Sequence, residues 1–224
     1  MALGLTYGGG GDFLDIVKYD ARAGRMSRVD NLDGVKTPKD ITATFKAVFD
    51  FENVEVGWID FTTGGAPSFA LVSLDTPLPP RPTAEHKQGM RIVLKLAPAC
   101  AGDAAPIREL AGTSAALLGG IDALHGAYLD ARAANPGKLP VVSLLNAEPV
   151  TTGSGAKKST NYKPEFAIVG WTNRPADLVA SPRVVAPASG TPASATSAAP
   201  RTAAAPVPVT IARAPVSADA DDFG

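Results

Sequence analysis

Apolar and polar positions alternate through much of the chain, and this alternation predicts β-strands. Between Ile41 and Phe51 every second residue, starting with Ile41, is apolar, and the residues between them are polar except Val48. That period is typical of a strand with one buried face. Similar but shorter patterns predict further strands at Phe13–Asp20, Met26–Gly34, Val54–Phe61, Ser68–Leu74, Gly89–Ala97, Lys138–Leu145 and Tyr162–Trp171.

One segment has the spacing of a helix instead. Pro106 suits a first helical turn, and apolar residues recur at helical intervals from Ile107 to Leu129. Asn135–Gly137 ends the segment, because proline and glycine both stop helices. Gly119 and Gly120 predict a weak point or a kink within it.

Two stretches are predicted to be loops. Asp75–Pro82 carries four prolines, which cannot donate a backbone hydrogen bond inside a central strand or a helix. Residues 146–161 are mostly polar and rich in glycine, serine and threonine, which predicts a long loop between the last two strands.

The predicted order is several strands, one helical segment and two more strands. This order differs from the regular strand–helix alternation of a parallel α/β sheet. We therefore predict a mainly β fold with one helical segment, an OB-fold-like elaborated antiparallel barrel spanning residues 12–178. A β-sandwich with one helix is the alternative.

The two ends of the chain differ from this body in composition. Residues 1–11 are glycine-rich, which predicts a flexible N-terminus. Residues 179–217 are dominated by Ala, Pro, Ser, Thr and Val, and they lack the apolar clusters that would offset the entropy of ordering them. We predict a disordered linker there, followed by an acidic tip at residues 218–224.

Composition narrows the class of protein. The net charge is −1, and residues 1–180 hold 18 basic against 19 acidic side chains, so any basic surface has to be made locally by folding. The single cysteine, Cys100, excludes an intrachain disulfide. No apolar run is long enough to cross a membrane, and the N-terminus lacks the pattern of a signal peptide. We expect a cytoplasmic protein without membrane contact.

No catalytic motif is complete. Gly153–Thr160 resembles a phosphate-binding loop, but Lys157 stands where that motif requires glycine before the Lys-Ser pair, and a strand follows. His86 and His125 are the only histidines, and with one cysteine they cannot form a typical structural zinc site. We predict a non-catalytic protein without a cofactor or a metal.

Cations near aromatic residues are the remaining binding signal. Single-stranded nucleic acid is held by cations that follow the phosphates and by rings that stack on bases. The candidate nucleic-acid-binding residues lie in the predicted 146–161 loop and just after it, on the last strand and its end, and along the Gly89–Ala97 strand with its approach. They are Lys157, Lys158, Tyr162, Trp171, Arg174, Lys87, Arg91 and Lys95.

The C-terminus resembles a known family. Its sequence ADADDFG combines three acids with one aromatic ring, and it follows a low-complexity linker. This arrangement is similar to the single-stranded DNA-binding proteins of bacteria and their phages, in which an OB-fold domain carries such a linker and an acidic tip containing phenylalanine. The resemblance implies that the tip recruits replication or recombination proteins. Its partner-binding residues would be Asp219, Asp221, Asp222 and Phe223; the family's aromatic residue is usually terminal, whereas Gly224 follows it here.

These observations favour a single-stranded DNA-binding protein, encoded by a phage or prophage and acting in replication or recombination. The body also looks similar to small phage proteins found near replication genes. Homo-oligomers are compatible with this reading. The alternative is a virion structural or assembly protein that uses a β-rich body for subunit contacts, and a third option is an adaptor that acts through its tail.

Overall fold

The computed structural model describes residues 14–32, 34–64, 66–155 and 158–179. This part of the chain is mainly β, with an 18-residue helix, a four-residue helix and two single 3-10 turns at Thr42–Thr44 and Phe51–Asn53. The helices are α1 (Pro98–Ala101) and α2 (Ala115–Arg132). The strands are β1 (Ile16–Asp20), β2 (Arg25–Leu32), β3 (Val35–Asp40), β4 (Lys46–Phe49), β5 (Glu55–Asp60), β6 (Ser68–Ser73), β7 (Lys87–Leu96), β8 (Ile107–Gly112), β9 (Lys138–Thr152) and β10 (Ser159–Asn173).

All ten strands belong to one sheet. Its main path runs β10-β9-β4-β7-β8-β1-β2-β3, and the β5–β6 hairpin branches from β7. Every pairing is antiparallel except that of β1 with β8, which is parallel. The expectation of a purely antiparallel sheet is therefore wrong at this one pair. Parallel neighbours need a long connection between them, and here the intervening chain from β2 to β7 supplies it.

The sheet curves enough to bring strands from distant positions on the path together. The Tyr162 backbone N–H in β10 donates to the Ala21 carbonyl in the β1–β2 turn at 2.6 Å. The Tyr19 hydroxyl in turn donates to the Tyr162 carbonyl at 3.0 Å. The concave face that results encloses the core.

Aromatic rings from β4, from the residue just before it and from β10 lie in this core. Phe45 and Phe49 meet at 6.2 Å between ring centroids, and Phe166 lies about equally close to both. Leu94 and Leu110 are fully buried on the neighbouring strands β7 and β8. α2 packs mainly against β10 and buries Leu117, Ile121 and Leu124 in the same core.

The predicted helix begins later than the sequence indicated. Ile107 to Gly112 form β8, which pairs with both β7 and β1, so the helical prediction is wrong for these residues. The apolar spacing of these residues fits both a helix and a strand. Backbone pairing with β7 on one side and β1 on the other favours the strand. The helix starts at Ala115, after Ser114 caps it by accepting from the Leu117 backbone N–H at 3.3 Å. It passes through Gly119 and Gly120 without interruption.

The strand predicted over Ile41–Phe51 is only partly confirmed. β4 covers its second half, and a 3-10 turn occupies Thr42–Thr44. The predicted inward face is nevertheless correct at Phe45, Ala47 and Phe49, which are buried. Asp50, expected on the polar face, is buried as well, because a distant arginine pairs with it.

The long loop predicted at residues 146–161 is instead the end of a hairpin. β9 continues to Thr152 and β10 begins at Ser159, and the two strands stay in register across this polar stretch. Polar composition did not prevent pairing, because each strand satisfies the backbone groups of the other. The proline-rich loop over Asp75–Pro82, by contrast, contains no helix or strand, as predicted.

Several predictions concern residues outside the described part. The N-terminal residues 1–11, most of the linker at 179–217 and the acidic tip at 218–224 fall there, including Asp219, Asp221, Asp222 and Phe223. Within the described residues, no helix is both long and apolar enough to span a bilayer.

Candidate nucleic-acid interface

The tip of the β9–β10 hairpin carries the first pair of predicted cations. Lys158 is exposed, and its backbone N–H donates to the Gly155 carbonyl at 3.2 Å, which closes the turn. Gly153 and Gly155 both have positive φ angles, 82° and 55°, which few other residues adopt. Lys157 lies outside the described residues. The described tip therefore presents one exposed ammonium group at Lys158.

Tyr162 follows on β10, and its main contacts are structural. Its backbone joins the β1–β2 turn as described above, and its ring is partly buried beside Gly24. A Cβ placed on Gly24 would approach the first ring atom of Tyr162 to 3.2 Å, so the glycine makes room for the ring. Tyr162 is half-buried, and its stacking role stays a prediction.

Arg174, predicted to contact phosphates, is held by acids of the protein itself. Its guanidinium donates to both carboxylate oxygens of Asp50 at 2.7 Å and to Glu52 at 2.8 Å. These hydrogen bonds raise the pKa of Arg174 further above its ordinary value. Arg174 also donates to the Leu178 carbonyl at 3.2 Å. Its role in this structure is to fasten the chain that follows β10.

The three cations of β7 do not form one stripe. Arg91 is buried, pairs with Glu55 and lies 5.4 Å from the ring centre of Phe69. Lys95 donates to the Asp177 carboxylate at 2.7 Å, and this contact lowers the pKa of Asp177. Lys87 alone is exposed at the start of the strand. Two of the three are therefore already neutralised by carboxylates.

Trp171 belongs to a series of packed rings at the base of the hairpin. It stacks on Tyr128 of α2 with 5.9 Å between ring centroids and 28° between their planes. Tyr128 stacks on His125 at 5.9 Å in the same way, and Phe51 lies 5.2 Å from Tyr128. Trp171 is therefore half-buried and packs against Tyr128.

A groove opens beside these rings, with a volume of about 850 Å³. Three aromatic residues line it, of which Phe51 and Tyr128 are buried and His125 is half-buried, and the cations Arg132 and Lys138 form its rim. Both rim cations are exposed, and no ion pair to either is found among the described residues. We call this feature the α2 groove. Aromatic rings and exposed cations come together here, and a second such contact places Arg81 5.6 Å from the ring centre of Trp58.

Sequence reasoning missed Arg132 and Lys138. The signal was present, since Arg132 lies in the last turn of the predicted helix and Lys138 directly follows the Asn135–Gly137 stop. A chain reversal of this kind brings the two flanking cations to the same end of the molecule. Nothing in the sequence indicated that Phe51 lies beside these cations, because Phe51 is about 80 residues before Arg132 in the chain.

The groove is electrostatically mixed. Glu52 and Asp75 also line it, so the rim is not purely basic. Burial lowers the pKa of His125, while Asp122 opposes this effect, so His125 is mostly neutral near pH 7. Burial and the nearby Glu52 raise the pKa of the Tyr128 phenol. Near neutral pH the groove therefore exposes part of the uncharged His125 ring, and Arg132 and Lys138 supply positive charge.

No metal-binding geometry accompanies the groove. Within the described ranges, no group of three or more His, Cys, Asp or Glu side chains is arranged to hold a metal ion.

Comparison with known proteins adds no relationship to these observations. No family model matches the chain, no curated protein matches its sequence, and no solved structure matches its fold.

Proposed function

We propose that this protein binds single-stranded DNA without a catalytic step. The observation that carries the proposal is the α2 groove, where the exposed cations Arg132 and Lys138 lie with the half-buried ring of His125, which packs on the buried rings of Phe51 and Tyr128. Unpaired bases present flat faces to aromatic side chains, and each stacked base contributes about 1–3 kcal/mol. In this proposal Arg132 and Lys138 contact the phosphates of the bound strand. Duplex DNA, whose bases are already stacked on each other, would gain only the charge contacts.

The β9–β10 hairpin extends this surface. Its strands have 15 residues each, so Lys158 at the tip is roughly 45 Å of strand away from Lys138 at the base. A strand bound in the α2 groove would have to follow the hairpin to reach the tip. Lys163, between the two ends, is a further cation along that route.

An OB-fold-like barrel is the architecture that we propose for this body. The curvature that joins β10 to the β1–β2 turn supports it, as does the placement of α2 just before the last two strands. OB-folds bind single strands across their sheet and through long connecting hairpins. The ten strands would make this an elaborated version.

The acidic tip completes the proposed function. Asp219, Asp221, Asp222 and Phe223 would recruit replication or recombination proteins, as the resemblance to bacterial and phage single-stranded DNA-binding proteins implies. About 45 residues separate the tip from the last described strand, a length that lets it reach partners well beyond the body. A phage or prophage origin and a cytoplasmic location follow from the same proposal.

Binding of the full chain to labelled oligonucleotides in a gel shift tests the proposal. We expect the single strand to bind more tightly than the duplex, with affinity falling as salt rises. The double variant Arg132→Ala/Lys138→Ala should lower the slope of log affinity against log salt by about 1.4, because each lost phosphate contact contributes about 0.7 for single strands. The variant Lys157→Glu/Lys158→Glu tests the hairpin tip separately.

The matched control is Lys36→Ala/Lys39→Ala, which removes two exposed cations of β3 on the far side of the sheet path. This control should bind like the wild type. If the wild type binds neither oligonucleotide at low salt, the proposed function is wrong. If Arg132→Ala/Lys138→Ala and the control Lys36→Ala/Lys39→Ala lose the same affinity, only the overall charge matters and the α2 groove is not the site.

A second candidate function is that of a virion structural or assembly protein. The observation that favours it is strand β3, which is exposed along its whole length and pairs only with β2 among the described strands. Such a protein would be found in stoichiometric amounts in purified particles, and it would show no salt-dependent binding of oligonucleotides.

A further inference from the structure

One acid of the α2 groove, Glu52, is paired with an arginine beside the groove. The Glu52 carboxylate accepts a hydrogen bond from Nη2 of Arg174 at 2.8 Å. Glu52 itself lines the groove, and its side chain is 49% exposed. The Arg174 side chain is 32% exposed. Glu52 therefore contacts both the open space of the groove and the guanidinium group of Arg174.

The charges that line the α2 groove balance each other. Arg132 and Lys138 are its two cations, and Glu52 and Asp75 are its two acids. A phosphate group that enters the groove is attracted by the cations and repelled by the acids. A strand of nucleic acid would therefore be held more tightly if one of the two carboxylates moved away.

The guanidinium group of Arg174 keeps its position without Glu52. Nη1 donates to the Asp50 carboxylate at 2.7 Å and to the Leu178 carbonyl at 3.2 Å, and Nη2 donates to the other Asp50 oxygen at 2.7 Å. The Asp50 side chain is only 1% exposed, so this contact is buried. Each Nη atom carries two hydrogens, and the second hydrogen of Nη2 binds Glu52. A phosphate oxygen is an acceptor that can take the same hydrogen.

The Glu52 side chain can leave Arg174 without a change in the backbone. Glu52 lies in the 3-10 turn Phe51–Asn53. The Asn53 backbone N–H donates to the Asp50 carbonyl at 3.2 Å, and the Asn53 side-chain amide donates to the Asp50 carboxylate at 2.9 Å. These contacts hold the turn independently of Glu52. Exposed ion pairs contribute little to stability, so rotation of the Glu52 side chain into solvent costs little.

We propose that Glu52 competes with the nucleic-acid backbone for Arg174, and that a bound strand displaces it. This inference rests on the proposed function and adds a regulatory acid to the same site. In the free protein Glu52 accepts the Nη2 hydrogen that a phosphate oxygen accepts in the complex. Arg174 then becomes a further cation for the strand beside Arg132 and Lys138, while its pair with Asp50 stays intact. The competition lowers the affinity, because the Glu52 pair has to break before the phosphate binds.

Binding of a labelled single-stranded oligonucleotide to the full chain at low salt tests this competition. Glu52→Gln should raise the affinity about fivefold, because it removes the competing charge and opens Arg174. Asp75→Asn removes the other acid of the groove and leaves the Glu52–Arg174 pair intact, so it should raise the affinity by about twofold at most. Asp103→Asn removes an exposed acid that does not line the groove, and it should bind like the wild type.

The same substitution in a second background isolates the role of Arg174. In Arg174→Gln, the further change Glu52→Gln should raise the affinity no more than Asp75→Asn does in the wild type, because no guanidinium group is opened. Circular dichroism checks that each variant is folded, and the comparison with Asp75→Asn decides if Arg174→Gln is not. Glu52→Gln should unfold at the same urea concentration as the wild type, since its ion pair is exposed.

The outcomes separate this inference from the proposed function. If the wild type binds but Glu52→Gln binds no more tightly than Asp75→Asn, Glu52 is not a competitor and the proposed function stands. An equal gain from Glu52→Gln with and without Arg174 would overturn the inference in the same way. If the wild type binds no oligonucleotide, the proposed function fails and this inference fails with it.

Discussion

At the scale of single residues, the environment decides whether a cation binds a ligand or holds the fold. Arg91, Lys95 and Arg174 all look like surface cations in the sequence, and all three pair with carboxylates. The partner of Arg174 is Asp50, 124 residues away along the chain. No local pattern marks such a pair. Lys87 and Lys158 remain exposed as predicted, and whether they contact nucleic acid stays a prediction.

Replacement of Arg174 tests its structural role. Arg174→Gln should lower the free energy of unfolding by about 2 kcal/mol, because the Asp50 carboxylate is buried and would lose its charged partner. Arg174 itself is about one third exposed, which keeps the loss below that of a fully buried pair. Urea unfolding measures the change. Lys158→Gln is the control and should change stability by less than about 0.5 kcal/mol. Equal stability of both variants would show that the Arg174 contacts are weak.

His125 makes stability depend on pH in a defined range. Its pKa in the folded protein lies below the ordinary value of 6.5, mainly through burial. The unfolded chain therefore binds a proton at a higher pH than the folded one does. The free energy of unfolding does not depend on His125 above pH 6.5, where the ring is neutral in both states. It decreases as the pH falls from 6.5 towards the pKa of the folded protein.

Thermal unfolding between pH 5 and pH 7 checks this expectation. The carboxylates with lowered pKa values, such as Asp60 and Asp177, titrate below their ordinary value of 3.8 and contribute little in this range. The wild type should lose stability as the pH falls through it, and His125→Gln should lose less. If stability falls equally with pH in the wild type and in His125→Gln, other groups cause the pH dependence.

At the scale of elements, the spacing of apolar residues predicted strands well where one face of the strand is buried. It predicted them poorly where the same spacing fits both a helix and a strand. β1, β5, β6 and β7 overlap the predicted strands closely, because strict alternation or a short apolar run leaves little choice. β8 has spacing that suits a helix or a strand, and pairing on both sides selects the strand. β3 was missed altogether, because it is exposed throughout and carries no apolar pattern.

Two glycines of α2 allow a matched test of its packing. A Cβ on Gly120 would lie 2.5 Å from the Pro164 carbonyl oxygen, whereas a Cβ on Gly126 would meet nothing within 4 Å. Gly126→Ala should therefore stabilise the protein by about 0.5–1 kcal/mol through helix propensity. Gly120→Ala should destabilise it despite the same propensity, because α2 would have to move off β10. Chemical unfolding of both variants compares them, and stabilisation by both would show that this contact is loose.

At the scale of the whole molecule, the chain just beyond β10 is part of the folded body. Leu178 is 1% exposed, and Arg174 and Asp177 connect this segment to Asp50 and Lys95. The boundary of the body at residue 178 stays a prediction. A body that ended directly after the last strand would lose all of these contacts.

Two truncations test where the body ends. A chain that stops after residue 179 should unfold at nearly the same urea concentration as the full chain. A chain that stops after residue 173 should lose about 3 kcal/mol or more, because the burial of Leu178 and the Arg174 contacts are both removed. If the shorter chain is as stable as the longer one, the segment 174–178 does not contribute to the fold.

The sequence by itself determined the β-rich class, the inward faces of most strands and the change of composition beyond the body, because side-chain periodicity and composition are local properties. The tertiary structure alone decided which strands are neighbours, which cations are neutralised by acids and which rings meet at the α2 groove. Those features depend on residues far apart in the chain, such as Phe51 with Tyr128 or Asp50 with Arg174. The curvature of the sheet and the packing of α2 bring them together, and no local pattern encodes that approach.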